Sequence, residues 1–198
     1  MKTPHSLKNL FVSETRAKLL NIFFNQPREI YYVRQLVRMS GEEINSVRRE
    51  LANLKSGNLV TSETRGNRLY YGANPRSWLY VDLLVLTAKT SPFVVDLKSH
   101  IARSGAIDLM LYSHPFLNRE EKSRSGIDII LVGDIAPRLL EPLITKWQEN
   151  FGREINYMVM DRSQYGLRRQ KRDPLLVDFF LDAPSVIIGK PSDIYQIS

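Results

Sequence analysis

The side chains best equipped for chemistry lie between Arg34 and Arg68. In the run INSVRRELANLKSG, which begins at Ile44, the residues Asn45, Ser46, Arg48, Arg49 and Ala52 fall mostly on one side of a helical spacing. Ile44, Val47, Leu51 and Leu54 form an apolar stripe on the other. A guanidinium presents a planar fork of donors that fits a guanine edge or a phosphate, and an asparagine amide fits an adenine edge. Further on, Arg65, Asn67 and Arg68 cluster around Gly66, in a turn rich in residues that tolerate positive φ. Arg34 and Arg38 stand on the preceding helical segment as candidates for backbone contact. Such a set can read base edges from the helix and grip phosphates from its flanks, which makes double-stranded DNA the expected partner.

Positioning these groups takes a specific run of elements. Ser13 is a suitable N-cap for a helix to about Asn25, with Leu19, Leu20, Phe23 and Phe24 as its apolar side, and Pro27 ends it. The segment REIYY adds a short strand, and a helix follows with Val33, Leu36 and Val37 inward. Ser40-Gly41-Glu42-Glu43 matches a capping box, Ser40 at the cap and Glu43 three residues on. The reading helix is therefore expected over Glu42–Ser56, with both glutamates as caps and Gly57 as the left-handed residue that stops it. Strands over 59–64 and 68–72 make a basic hairpin. Helix, turn, helix and hairpin together predict a winged helix–turn–helix domain over residues 1–76, closed by Pro75. Apolar helices over 78–89 and from Pro92 to about Arg103 fill a linker or dimerisation segment, 77–104.

The charge distribution agrees with this division. The chain of 198 residues carries +7, and residues 1–90 hold 14 Lys+Arg against 7 Asp+Glu while residues 91–198 hold 14 of each. The surplus points to an anionic partner for the first half. Cysteine is absent, which excludes disulfides and thiolate metal sites and fits a reducing compartment. No apolar run approaches the ~20 residues of a membrane span, and the start lacks a signal-peptide core, so a cytoplasmic protein without a membrane partner is expected. His5, His100 and His114 are too scattered to form a metal site or a triad.

Residues from about 10 to 75 resemble the winged-helix domains of ArsR-type transcriptional regulators, through TRAKLLNIF, YYVRQLVRMSG, INSVRRELANLKSGNLV and RGNRLYYGANP. The resemblance implies a homodimer on a two-fold operator. Metal-sensing members use cysteine pairs, so that sensing mode is not available here.

The second half alternates strand-like runs (106–112, 127–132, 154–160 and SVIIG) with helical ones (137–151, SQYGLRRQKR, PLLVDFFLD). The order GAIDLMLYSHPFLNREEKSRSGIDIILVG resembles the opening of a minimal nucleotidyltransferase domain over 105–198. In that family a Gly-Ser turn cradles a triphosphate, and an Asp-x-Asp pair on the next strand holds Mg²⁺. Here Ser113-His114 stand at the Gly-Ser position, Gly126 replaces the first aspartate, Asp128 alone survives, and Asn156 occupies the third-strand position. One carboxylate cannot clamp two metal ions, so the resemblance implies a non-catalytic domain with no metal and no cofactor. The alternative is an active nucleotidyltransferase that uses Asp128 with a non-standard partner. Glu120 and Glu121 lie in the intervening loop, and Arg168, Arg169, Lys171 and Arg172 form the sharpest charge cluster of this half. The expected fold is thus α+β or α/β: a winged helix–turn–helix domain, then a small nucleotidyltransferase-like mixed sheet with helices. The whole resembles transcriptional regulators that carry a nucleotidyltransferase domain.

Overall fold

The computed structural model describes residues 11–101, 106–121 and 123–196. It is a mixed α+β structure whose chain divides into two compact units at Thr90/Ser91.

The first unit opens with α1 (Glu14–Asn25), capped by Ser13, whose Oγ accepts from the Arg16 N–H at 3.2 Å. Next come β1 (Ile30–Tyr32), α2 (Val33–Ser40), α3 (Ile44–Ser56), β2 (Val60–Arg65), β3 (Arg68–Ala73) and α4 (Tyr80–Lys89). The strands form one antiparallel sheet in the order β1-β3-β2. Ala17, Leu20, Phe23, Leu36, Val47, Leu51, Leu54 and Val60 are each buried, so the apolar stripe of α3 is sealed except at the partly exposed Ile44. Burial of each such side chain contributes roughly 1.5–3 kcal/mol, and this fixes which face of α3 remains in solvent. α4 packs on α1: the rings of Phe24 and Tyr80 meet at 5.9 Å. The unit therefore runs past Pro75. Of the two helices expected in 77–104, α4 belongs to this unit and α5 (Pro92–Ile101) to the next. The expected end near Arg103 lies outside the described residues.

Two local expectations are corrected. Ser40 is not the cap of α3 but the last residue of α2, because Gly41 at φ 68° ends that helix and donates to Val37 O at 2.9 Å. The cap is Glu43, whose carboxylate accepts from Asn45 N and Ser46 N, so α3 starts at Ile44 and not at Glu42. Glu42 is not a cap; it binds Thr15 and Lys18 of α1. At the other end Gly57 keeps φ −77°. The left-handed residue is Asn58 at φ 57°, with Asn58 N bonded to Lys55 O and Leu59 N to Leu54 O, a Schellman arrangement. The buried Asn74 amide then donates to the Asn58 carbonyl and to its side-chain oxygen, both at 2.9 Å.

The second unit contains α5, β4 (Ala106–Tyr112), α6 (His114–Leu117), β5 (Ile129–Asp134), α7 (Pro137–Phe151), β6 (Tyr157–Met160), α8 (Arg162–Gln170), α9 (Pro174–Leu181), β7 (Ser185–Ile188) and α10 (Asp193–Gln196). Its sheet has the order β6-β5-β4-β7, with β5 and β6 parallel and the other pairs antiparallel. Leu109, Leu111, Ile130, Val132, Tyr165 and Phe179 form one core cluster. β5 begins at Ile129, not at Ile127, so Asp128 precedes the strand; β6 begins at Tyr157, not at Glu154, so Asn156 precedes it too. The reason is mutual: Asp128 N and Ile129 N both donate to Asn156 O, a bridge that precedes the regular ladder. Among the described residues no helix is long and apolar enough to cross a membrane.

Candidate functional site

α3 leaves Asn45, Arg48, Arg49 and Ala52 exposed and Ser46 half-buried. Arg34 and Arg38, one helical turn apart, are exposed on α2, which packs against α3. At the hairpin tip Arg65 pairs with Arg68 across a two-residue turn, and of Gly66 and Asn67 only Gly66 has positive φ, as in a type II′ turn. Arg65, Asn67 and Arg68 are all exposed.

Two tyrosines missed in the sequence organise that tip. β-pairing places Tyr32 opposite Tyr70, with their rings edge-to-face at 5.9 Å. The Arg68 guanidinium lies 4.9 Å from the Tyr32 ring and that of Arg65 lies 5.9 Å from the Tyr70 ring. Arg65 also pairs with Glu63 at 2.5 Å. Such stacking restricts the arginine rotamers and contributes about 0.5–1 kcal/mol at exposed positions. The only sequence signal was the repeated Tyr-Tyr, 31–32 and 70–71.

Glu63 is spent on Arg65, but three other acids of this unit are held at α1. Glu42 pairs with Lys18, and Glu50, itself buried, pairs with Arg16 at 2.8 Å. Glu14 also reaches Lys18, at 3.2 Å. The Lys18 and Thr15 hydrogen bonds hold the Glu42 carboxyl below the usual carboxylate range. For Glu50, burial pushes upward, but hydrogen bonds from Arg16, Ser13 and Asn53 outweigh it and the net shift is downward. Among the described residues Arg34, Arg38, Arg48 and Arg49 have no carboxylate in ion-pair reach. The exposed faces of α2 and α3 therefore carry uncompensated charge.

The second constellation gathers at the start of β5. Ser113 is fully buried; its N–H donates to Asp128 O at 3.0 Å, and its Oγ caps α6 by accepting from Phe116 N. His114 N donates to Asp182 O. With Pro115 lacking an N–H, every amide of this turn is engaged inside the protein. Asp128 is buried, and Arg153 grips it in a two-pronged pair: Nη2 to Oδ1 at 2.9 Å and Nη1 to Oδ2 at 3.1 Å. Asn156 N adds a bond to Oδ2 at 3.0 Å. The structure thus brings Ser113, Asp128 and Asn156 together through main-chain bonds. Gly126, at φ 68°, is exposed, with no heavy atom within 4 Å of where a Cβ would stand. Glu120 accepts from Asn118 Nδ2, and Glu121 is exposed. His5 lies outside the described residues.

Arg153 and Asp182 were invisible in the sequence. Asp182 Oδ2 accepts from Arg124 N at 2.9 Å and pins the loop before β5. Behind Arg153 runs a cation–aromatic series. Arg153 lies 5.3 Å from the Phe116 ring, which stacks on Phe151 at 5.0 Å, with the Arg119 guanidinium 3.3 Å from the Phe151 centroid. Burial and then repulsion from Arg153 lower the Arg119 pKa to about 10. Burial also pushes the Tyr112 hydroxyl well up, and that oxygen has no hydrogen-bond partner among the described residues.

Comparison with models of known families, with curated proteins and with solved structures returns no match to this chain.

Proposed function

We propose that the first unit is a winged helix–turn–helix in which α3 enters the major groove of duplex DNA and the β2–β3 hairpin reaches the adjacent minor groove. The chain is then a sequence-specific DNA-binding transcriptional regulator, working in the cytoplasm as a homodimer. One observation carries this reading: Arg34, Arg38, Arg48 and Arg49 stand exposed on two adjoining helices without acidic partners among the described residues, while Glu14, Glu42 and Glu50 are held by side chains of α1. Solvated cations that hold no internal partner can displace DNA counterions at little cost. Asn45, Arg48 and Arg49 supply base readout, and Arg34, Arg65 and Arg68 supply phosphate and minor-groove grip.

The second unit is a non-catalytic relative of the minimal nucleotidyltransferases. Its support is the state of the Ser113 turn and of Asp128. A phosphate cradle needs free amides, and those of Ser113, His114 and Phe116 are spent. A metal ligand needs free carboxylate lone pairs, and Arg153 with Asn156 N takes three of the roughly four that Asp128 offers, while the Arg153 cation opposes a second positive charge there.

Selection of bound duplexes from a random pool, followed by titration against salt, tests the DNA reading. About five phosphate contacts per protomer, roughly ten for the proposed homodimer, give a log–log slope on the order of −9. A slope near zero, or no enrichment, refutes it. Labelled nucleotide transfer with Mg²⁺, lost in Asp128→Ala, would refute the non-catalytic reading of the second unit.

A further inference from the structure

The basic run that follows β6 borders a cleft that the DNA reading does not use. α8 ends at Gln170 and α9 begins at Pro174; between these helices and the 184–195 segment lies a cleft of about 610 Å³. Clefts of this size commonly accept small organic molecules. Its walls are apolar: Leu176, Val177, Phe180, Leu181, Pro184 and Ile194. Three charged residues border it, Arg169, Arg172 and Asp173.

Their partners differ. Asp173 is neutralised by Arg168 at 2.8 Å and caps α9 by accepting from Leu175 N. Arg169 donates to the Ile194 carbonyl and lies 5.2, 5.7 and 6.0 Å from the rings of Tyr195, Phe180 and Tyr165. Neither Arg169 nor Arg172 has a carboxylate partner among the described residues. The cleft thus joins an apolar wall to two uncompensated guanidinium charges. A neutral apolar ligand would cover these cations and return nothing; an anion would compensate them through charge-assisted bonds. The ring of Tyr195 and the guanidinium plane of Arg169 favour a flat body.

We propose that this cleft binds a small amphipathic organic anion, a flat apolar body carrying one acidic group, with Arg169 and Arg172 as anion ligands and Val177, Phe180 and Leu181 as the apolar wall. The site stands independently of the DNA reading.

The test titrates the full chain with 8-anilinonaphthalene-1-sulfonate, followed by fluorescence at temperatures below the circular-dichroism transition. Saturable one-to-one binding is expected. N-phenyl-1-naphthylamine, the same body without the charge, should bind about tenfold or more weakly, as should the dye to Arg169→Gln/Arg172→Gln, since charge-assisted bonds of ~1.5 kcal/mol or more are lost. Arg172→Gln alone, at an exposed position, should weaken binding while leaving the melting curve unchanged. Val177→Asp places a carboxylate in the apolar wall and should abolish binding. Equal affinity for the uncharged body, full binding by Val177→Asp or by the double variant, or no saturable signal would each overturn the proposal.

Discussion

Replacing Arg153 with alanine probes how the Asp128 site is held. The carboxylate accepts three hydrogen bonds, two from Arg153 and one from Asn156 N, and its side chain is 7% exposed against 30% for Arg153. Removing the guanidinium leaves a buried carboxylate with one donor. Breaking a fully buried pair costs about 3–5 kcal/mol; because Arg153 is partly solvated and water can enter beside it, about 2–3 kcal/mol is the better figure. With a urea m-value of ~2 kcal/mol/M, the unfolding midpoint should fall by roughly 1–1.5 M. Asp128→Asn keeps a side-chain oxygen for the Asn156 N–H and should cost less. A double-mutant cycle with Arg153→Met isolates the coupling, which should be about 2 kcal/mol. A midpoint for Arg153→Ala within error of wild type, or a coupling near zero, would refute the claim that Arg153 occupies Asp128 as a structural partner.

Other perturbations test the first unit. Glu43→Ala removes the acceptor for Asn45 N and Ser46 N and should cost about 1 kcal/mol in thermal unfolding, whereas Glu43→Asp should retain most of it. Glu42 is held below the usual carboxylate range by the Lys18 bond first, so its contribution is present above that range and is lost as pH falls through its folded value. The urea midpoints of wild type and Glu42→Gln should therefore differ at pH 7 and converge in acid; a constant gap would contradict the pairing. If the hairpin grips DNA, Tyr32→Ala frees Arg68 and should weaken gel-shift affinity two- to fivefold, following the roughly 0.5–1 kcal/mol of the stack. No change there would leave Tyr32 without a positioning role.

Much of the first unit was legible because burial leaves periodic traces: Val47, Leu51 and Leu54 are buried where helical spacing put them. Its joints were less legible. Ser40 and Glu43 fit a capping pattern, yet the same residues also fit a helix end followed by a new cap, and Gly41's backbone freedom selected the second. Gly57 looked like the left-handed stop, but the long-range grip of Asn74 falls on Asn58, whose amide tolerates that conformation. The Tyr32–Tyr70 support of the hairpin depends on strand register, which no local window reveals. The sequence singled out Asp128 as the surviving carboxylate of the nucleotidyltransferase pattern, and its burial became visible only in the structure. Its partner Arg153 was not singled out, because the pairing depends on how β5 and β6 align across intervening chain.

The central claim concerns the exposed face of α3, and the double variant Arg48→Ala/Arg49→Ala tests it most directly. Both side chains are exposed and neither has an acidic partner among the described residues, so the fold should be preserved and its melting curve unchanged. Two lost guanidinium contacts, each worth about 1–3 kcal/mol at a base edge, should weaken gel-shift affinity for the selected duplex by at least about tenfold. Unchanged affinity in a normally folded double variant would contradict the account.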